Sequence, residues 1–221
     1  MKTILFQGDS ITDCAWDRKD PLSLGIGYPR LIAAELGYEN PSEYTFYNRG
    51  ISGNRIVDLY ARIKADIINL KPDYLSILIG VNDVWHEIAY KNGVDTEKFE
   101  RIYTMLLEEI QEALPDIKIM LLAPFVLNGS ATADTEENPK RWQTFRTEVD
   151  ERIKVVERLG QKFGLPVLPL QEKFDECVSK NNSNSYWLRD GVHPTVYGHE
   201  MIAREWLRVF RTVSNDKNSR T

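Results

Sequence analysis

Short apolar runs alternate along the chain with longer segments that have helical periodicity. Five runs are predicted as strands, at residues 4–6, 44–47, 74–79, 117–122 and 167–168. The third and fourth consist almost entirely of apolar residues, as strands buried on both faces require. The alternation predicts the α/β class: a three-layer α/β/α sandwich built on a flavodoxin-like, five-stranded parallel sheet.

Apolar stripes predict three long helices between and after these strands. The first begins with Asp95 or Thr96 as N-cap and ends before Pro115. The second spans residues 142–163 and is stopped by the segment 164–166, which contains glycine and proline. The last begins after Pro194. These stripes are interpreted as core-facing surfaces rather than as functional sites.

Length and charge limit the functions open to this chain. Its 221 residues, 42% hydrophobic, predict a single domain over 1–213, followed by a polar C-terminal tail at 214–221. A net charge of −5, with basic residues scattered among acidic ones, disfavours nucleic acid as a partner. No segment has the length and apolar content of a membrane span, and because the first apolar run begins at Ile4 we expect no signal segment.

The cysteines provide a further expectation about the compartment. Cys14 and Cys177 are far apart and have no CxxC spacing. This usage is typical of a reducing compartment and gives no metal signature. We therefore expect a cytoplasmic protein without a bound metal.

Four polar segments are predicted to meet at one edge of the sheet. Gly8, Asp9 and Ser10 follow the first apolar run, and the segments 48–54, 80–83 and 190–193 also follow predicted strands. The carboxyl edge of a parallel sheet is where ligands bind. A Gly-Asp-Ser triplet alone is most often a local turn, but four converging segments favour chemistry.

In this order, the four segments resemble the conserved blocks of the SGNH hydrolases, also called the GDSL esterase family. The match runs from residue 8 to about residue 200, with one departure: Ile11 stands where the family name has leucine. The resemblance implies the SGNH hydrolase fold, Ser10 as nucleophile, His193 as general base and Asp190 as the residue that orients it. It further implies that Gly53 and Asn82 donate to an oxyanion, and that no cofactor is needed.

Physical chemistry agrees with these roles. A serine hydroxyl attacks an acyl carbon only if a base takes its proton, and His193 is a suitable base. An aspartate three positions earlier can reach the other ring nitrogen. The Ser10 amide, the Gly53 amide and the Asn82 side chain supply three oxyanion donors. The alternatives are that Gly53 is only a turn glycine and Asn82 only a helix cap for a segment beginning at Asp83.

Other polar and aromatic residues carry two interpretations each. Asp9 is expected to hydrogen-bond the backbone around its turn, and with Trp85 and Trp187 it is also a candidate substrate-binding residue. Aromatic rings stack on sugars, although core packing explains them equally well. His86 is either a surface histidine or a substrate contact. His199 is six residues from His193, on a different helix face, which disfavours a metal site.

The substrate is suggested by softer similarities. The segments 25–28, 73–85 and 123–125 look like those of intracellular bacterial acetylxylan esterases. This resemblance implies removal of O-acetyl groups from acetylated xylo-oligosaccharides through an acetyl-Ser10 intermediate, by a homo-oligomer. Two alternatives remain open: a lysophospholipase or thioesterase acting on longer acyl esters, and a non-catalytic flavodoxin-like binder of small molecules. The polar segment 128–139 is expected to be a surface loop, bordering the site, an oligomer contact or only solvent.

Overall fold

The computed structural model describes residues 1–180 and 183–215 and has a parallel sheet at its centre. The strands are β1 (Lys2–Gly8), β2 (Tyr44–Asn48), β3 (Tyr74–Leu78), β4 (Lys118–Leu122) and β5 (Val167–Leu168). Their order is β2-β1-β3-β4-β5, which is the flavodoxin-like order. The predicted three-layer α/β class is confirmed.

Helices cover both faces of this sheet. Those in the described residues are α1 (Ser10–Asp13), α2 (Tyr28–Glu39), α3 (Ile56–Ala61), α4 (Ile63–Asp66), α5 (Val81–Tyr90), α6 (Thr96–Ala113), α7 (Arg141–Phe163), α8 (Leu170–Ser179), α9 (Asn184–Trp187) and α10 (Val196–Asn215), with a 3₁₀ turn at Ile68–Leu70. Within residues 1–180 and 183–215, none of them combines the length and apolar character needed to cross a membrane.

The helix boundaries follow the capping signals in the sequence. Asp95 is the N-cap of α6, and its carboxylate accepts a hydrogen bond from the Lys98 amide. Gly164 ends α7 in the left-handed region, with φ of +64°. Helix α10 continues through Ser214 to Asn215, so it extends into the predicted tail. The remainder of that tail, 216–221, lies outside the described residues.

The sheet separates two hydrophobic cores. Side chains alternate across a strand, so Phe6 faces one core while Leu5 faces the other. Phe6 packs against the rings of Tyr28 and Trp206, at centroid distances of 5.8 and 5.5 Å. Every residue of β3 is buried. Burial on both faces is the reason that the central strands read as continuous apolar runs.

Gly8 at the end of β1 is required for close packing. A Cβ at this position would lie 2.4 Å from the Leu78 carbonyl oxygen and 2.4 Å from Thr12 Oγ1. Gly8 is not among the residues with positive φ. Glycine is needed here because β3 and α1 approach the backbone closely, with α1 beginning at Ser10.

We expect Gly8→Ala to lower the free energy of unfolding by about 2–3 kcal/mol, because overpacking forces backbone shifts. The control is Gly37→Ala in the last turn of α2, where a Cβ meets nothing within 4 Å. That change is expected to stabilise the protein by roughly 0.5–1 kcal/mol. Urea denaturation of both variants measures the difference. Equal effects of the two substitutions would contradict the packing explanation.

Candidate active site

Ser10, His193 and Asp190 form a continuous chain of hydrogen bonds at the carboxyl edge of the sheet. Ser10 Oγ lies 3.0 Å from His193 Nε2, and His193 Nδ1 lies 2.7 Å from Asp190 Oδ2. A carboxylate only accepts, so Nδ1 carries the proton and Nε2 is free to accept from the serine hydroxyl. This is the tautomer that a general base needs.

Asp190 is held in place by its own loop. Its Oδ1 accepts hydrogen bonds from the backbone amides of Val192, at 3.0 Å, and His193, at 2.8 Å. Burial alone would raise the pKa of Asp190. The hydrogen bonds from the His193 side chain and from these amides outweigh that effect and hold the pKa below its usual range. Asp190 is therefore ionised at neutral pH, and its negative charge lies next to the His193 ring.

The polar loop at 128–139 and the residue before it form backbone hydrogen bonds with the loop that carries Asp190. The Leu127 amide donates to the Gly191 carbonyl at 2.8 Å, and the Ala131 amide donates to the Asp190 carbonyl at 2.9 Å. Thr132 is fully buried, and its hydroxyl donates to the Leu127 carbonyl. The predicted surface loop thus contains a buried portion that fixes the backbone of the Asp190 loop.

Gly53 and Asn82 line the same cavity as Ser10. Gly53 has φ of +82°, a conformation that favours glycine. Asn82 is in the first turn of α5, whose N-cap is Gly80, so the alternative that Asn82 is a helix cap is wrong. Its Nδ2 donates to the Asn54 carbonyl at 3.1 Å. An amide NH2 group has two N–H bonds, and this contact uses one of them.

Ser52, which precedes Gly53, is held by Asp13, a side chain that sequence reasoning missed. Asp13 Oδ2 accepts from the Ser52 amide at 2.9 Å and from the Ser52 hydroxyl at 2.8 Å. Burial would raise the pKa of Asp13, but hydrogen bonds from Arg18 and Ser52 lower it below its usual range. Asp13 and Ser52 are 39 positions apart, and no local pattern in the sequence links them.

These groups open onto one cavity of about 280 Å³. The cavity is lined by Ser10, Ser52, Gly53, Asn82, Trp85, His86, Tyr90 and His193. The Trp85 ring lies 5.9 Å from the His193 ring, and the His86 and Tyr90 rings meet edge to face at 5.5 Å. His86 therefore borders the cavity, and Tyr90 is a lining residue that was not predicted. His86 and Tyr90 are four residues apart on α5, a helical spacing that could have indicated a shared face.

Two predicted substrate-binding residues do not line this cavity. Asp9 is only 1% exposed, and its Oδ1 accepts from the Ile11 amide at 3.0 Å, which caps α1. Trp187 packs edge to face on Tyr186 at 5.1 Å and borders a separate groove with Tyr197. The expectation that Asp9 and Trp187 contact substrate is corrected accordingly, since burial encloses the first and α9 directs the second elsewhere.

His199 is buried, and its ring nitrogens contact other residues of the protein. Its Nδ1 accepts from the Tyr28 amide at 3.2 Å, and its Nε2 lies 3.4 Å from Cys14 Sγ. Burial lowers the pKa of His199 to about 4, so the ring is neutral. Among residues 1–180 and 183–215, no group of three or more histidine, cysteine or acidic side chains is arranged to hold a metal ion.

Asp9 and Asp83 are buried carboxyl groups. Burial raises the pKa of Asp9 to about 7 and that of Asp83 to about 8. Both accept backbone hydrogen bonds, Asp9 from Ile11 and Asp83 from Ile56. These bonds do not compensate for the loss of hydration, so each group holds its proton more tightly in the folded protein than in the unfolded chain.

The raised pKa of Asp9 predicts a pH-dependent effect of Asp9→Asn. The folded state keeps a proton that the unfolded state releases, so wild-type stability falls as pH rises from about 4 to about 7. Asparagine does not ionise, so the Asp9→Asn variant does not lose this stability as pH rises. Its gain in Tm relative to wild type should be larger at pH 8 than at pH 5, by about 3 °C or more.

Asp95→Asn is the control for this measurement. The hydrogen bonds of Lys98 lower the pKa of Asp95, so that carboxylate is ionised at both pH values. Its effect on Tm should be the same at pH 5 and pH 8. Calorimetry of both variants measures the two differences. A gain for Asp9→Asn that does not change with pH would contradict the ionisation argument.

Comparison with known proteins agrees with this geometry. Residues 6–201 match the sequence model of the GDSL-like Lipase/Acylhydrolase family. The chain is 34% identical over 215 residues to an acetylxylan esterase of Geobacillus stearothermophilus, and the match covers 93% of this chain and 92% of that protein.

Two solved structures are similar along nearly the whole chain. A protein from Parabacteroides merdae described as a GDSL-like lipase has 35% identity and a TM-score of 0.85, with 94% of each chain covered. A catalytic mutant of the Geobacillus stearothermophilus acetylxylan esterase, with alanine in place of a serine, has 31% identity and a TM-score of 0.81, with 94% and 93% covered. Another catalytic mutant of that enzyme replaces an aspartate with alanine.

Proposed function

Because the chain belongs to the GDSL-like lipase/acylhydrolase family, we propose that it is a carboxylic ester hydrolase that uses Ser10, His193 and Asp190 as a catalytic triad. The observation that carries this proposal is the hydrogen-bonded chain from Ser10 through His193 to Asp190, which opens onto the same cavity as Gly53 and Asn82. The serine and aspartate whose replacements are described as catalytic mutants in the related esterase add support.

The first half of the reaction forms an acyl-enzyme. Ser10 Oγ attacks the acyl carbon of the ester while His193 Nε2 takes the hydroxyl proton. Asp190 stabilises the imidazolium that results. The negative oxygen of the tetrahedral intermediate accepts hydrogen bonds from the Ser10 and Gly53 amides and from Asn82. Each such donor is worth about 3–4 kcal/mol in comparable enzymes.

The second half releases the acid. His193 returns its proton to the leaving alcohol, which departs and leaves an ester on Ser10. A water molecule then attacks the same carbonyl with His193 again as base, and the same donors stabilise the second tetrahedral intermediate. As this intermediate collapses, the bond between the acyl carbon and Ser10 Oγ breaks and His193 returns its proton to Oγ. The carboxylic acid leaves and loses its proton to solvent, and the cycle needs no cofactor.

We propose acetylated xylo-oligosaccharides as the substrate class. The cavity of about 280 Å³ lies at the lower limit for ligand pockets, which suits a short acyl group. Trp85, His86 and Tyr90 give its wall aromatic surface and a polar ring, and both types of group bind sugars. A related protein is described as an acetyl-xylooligosaccharide esterase.

Location and assembly belong to the same proposal. The two cysteines are free, which suits a reducing compartment, and we retain the cytoplasm as the proposed location. We also retain a homo-oligomer as the proposed assembly, on the family resemblance alone.

The alternatives are less well supported. A lysophospholipase or thioesterase needs an apolar channel for a long acyl chain, whereas six of the eight residues that line this cavity are serine, histidine, asparagine or glycine. A non-catalytic binder has no need for a serine whose hydroxyl is hydrogen-bonded to a carboxylate-oriented histidine.

The test compares two acyl lengths on the wild-type enzyme and on Ser10→Ala. We expect acetate release from acetylated xylo-oligosaccharides and little hydrolysis of esters with acyl chains of eight or more carbons. Ser10→Ala should lose about 10³-fold or more of kcat on the acetyl ester. Titration of released acid measures both. A preference for the long chains would exclude the carbohydrate substrate, and unchanged activity of Ser10→Ala would exclude the triad.

A further inference from the structure

We propose that Arg62 is a positioning residue for the oxyanion hole, because its guanidinium ties together the backbone segments that carry the oxyanion donors. The inference rests on the proposed function, since it concerns how efficiently Gly53 and Asn82 stabilise the tetrahedral intermediate. Arg62 does not line the cavity and has no role in the steps described above.

Arg62 lies between α3 and α4, and its side chain is only 14% exposed. Nε donates to Asn54 Oδ1 at 2.9 Å. Nη1 donates to the Arg49 carbonyl at 2.8 Å and to Asp66 Oδ2 at 2.6 Å, and Nη2 donates to the Gly8 carbonyl at 3.3 Å. The guanidinium thus joins the end of β1 to both ends of the segment 49–54.

Two of these contacts, to Gly8 and to Asn54, involve residues next to the oxyanion donors. Gly8 is two residues before Ser10, whose amide is the first donor. Asn54 directly follows Gly53, the second donor, and the Asn54 carbonyl accepts from Asn82 Nδ2, the third. Arg62 holds the side chain of Asn54 while the carbonyl of the same residue holds Asn82. One cation therefore acts on the position of all three donors.

Arginine suits this role better than any other side chain. Its planar guanidinium carries five N–H donors in fixed directions, so it can bind several acceptors at once without rotating. A lysine ammonium has three donors on a single nitrogen, so it cannot reach all the acceptors that the three guanidinium nitrogens of Arg62 bind. Asp66 supplies the negative charge that a largely buried cation requires.

Loss of the Arg62 guanidinium contacts should destabilise the transition state more than it weakens substrate binding. Oxyanion donors interact with a charge that is present only in the tetrahedral intermediate and the flanking transition states. A shift of Gly53 or Asn82 by a fraction of an ångström therefore lowers kcat and leaves KM almost unchanged. A general loosening of the fold would instead lower stability and change both constants.

The first experiment is Arg62→Lys, assayed with an acetyl ester. The fall in kcat should be about 10- to 100-fold, less than the loss expected from removing a donor outright, with KM within about threefold of wild type. Arg146→Lys is the matched control. Arg146 also pairs with an aspartate four residues later, Asp150, and with Asp175, but its partners lie on α7 and α8. Its kcat should stay within about twofold of wild type.

A double-mutant cycle separates positioning from a structural role. In an Asn82→Ala background one of the donors that Arg62 positions is already absent. The additional loss of kcat caused by Arg62→Lys should therefore be at least about threefold smaller than in the wild-type background. The same fold-loss in both backgrounds would overturn the proposal, as would a KM change that accounts for the whole loss.

Asn54→Ala keeps the proposal testable if Arg62→Lys does not fold. It removes the Asn54 side chain but keeps the Arg62 contacts to Gly8 and Arg49, and should give a smaller fall in kcat that also shrinks with Asn82→Ala. An Asn54→Ala enzyme with unchanged kcat would refute the link. Ser10→Ala in the same assay separates the two proposals. An active Ser10→Ala enzyme would refute the proposed function. An inactive Ser10→Ala enzyme together with wild-type kinetics of Arg62→Lys would refute only the positioning role of Arg62.

Discussion

One hydrogen bond, between Ser10 and His193, determines how the rest of the active site must be arranged. It joins residues that are 183 positions apart, so it requires the end of β1 and the loop before α10 to meet at the same edge of the sheet. The parallel order with β1 beside β3 brings the loops after these strands to this edge. Two hydrophobic cores, one on each face, fix the strands and hence the geometry of the loops.

The loops themselves lack the ladder of backbone bonds that holds the sheet, and buried side chains replace it. Asn48 Nδ2 donates to the Thr12 carbonyl at 2.6 Å, while Asn48 Oδ1 accepts from the Gly50 amide at 2.9 Å. Asp13 adds the contacts to Ser52, and Arg62 adds those to Asn54. Because buried backbone groups must find partners, these side chains both satisfy the loops and fix their conformation.

The pattern of the sequence was sufficient to predict the strands and the long helices, and the resemblance to the GDSL esterase family supplied the candidate triad. Continuous apolar runs identify buried strands, and glycine, proline and capping residues identify the ends of helices. The residues missed are those whose partners lie far along the chain, such as Asp13 with Ser52 and Arg62 with Gly8. Such pairs leave no periodic or local signal. The misplacement of Asp9 and Trp187 has a related cause, since sequence proximity to Ser10 or Asp190 does not determine which way a side chain points.

The central claim is that His193 makes Ser10 the nucleophile. Reaction with a fluorophosphonate, followed by peptide mass spectrometry, tests it directly, because this reagent phosphonylates an activated serine. We expect one adduct, on Ser10, that forms at least about 10²-fold more slowly in His193→Ala. An adduct on a different serine, or an equal rate of Ser10 labelling without the imidazole, would contradict it.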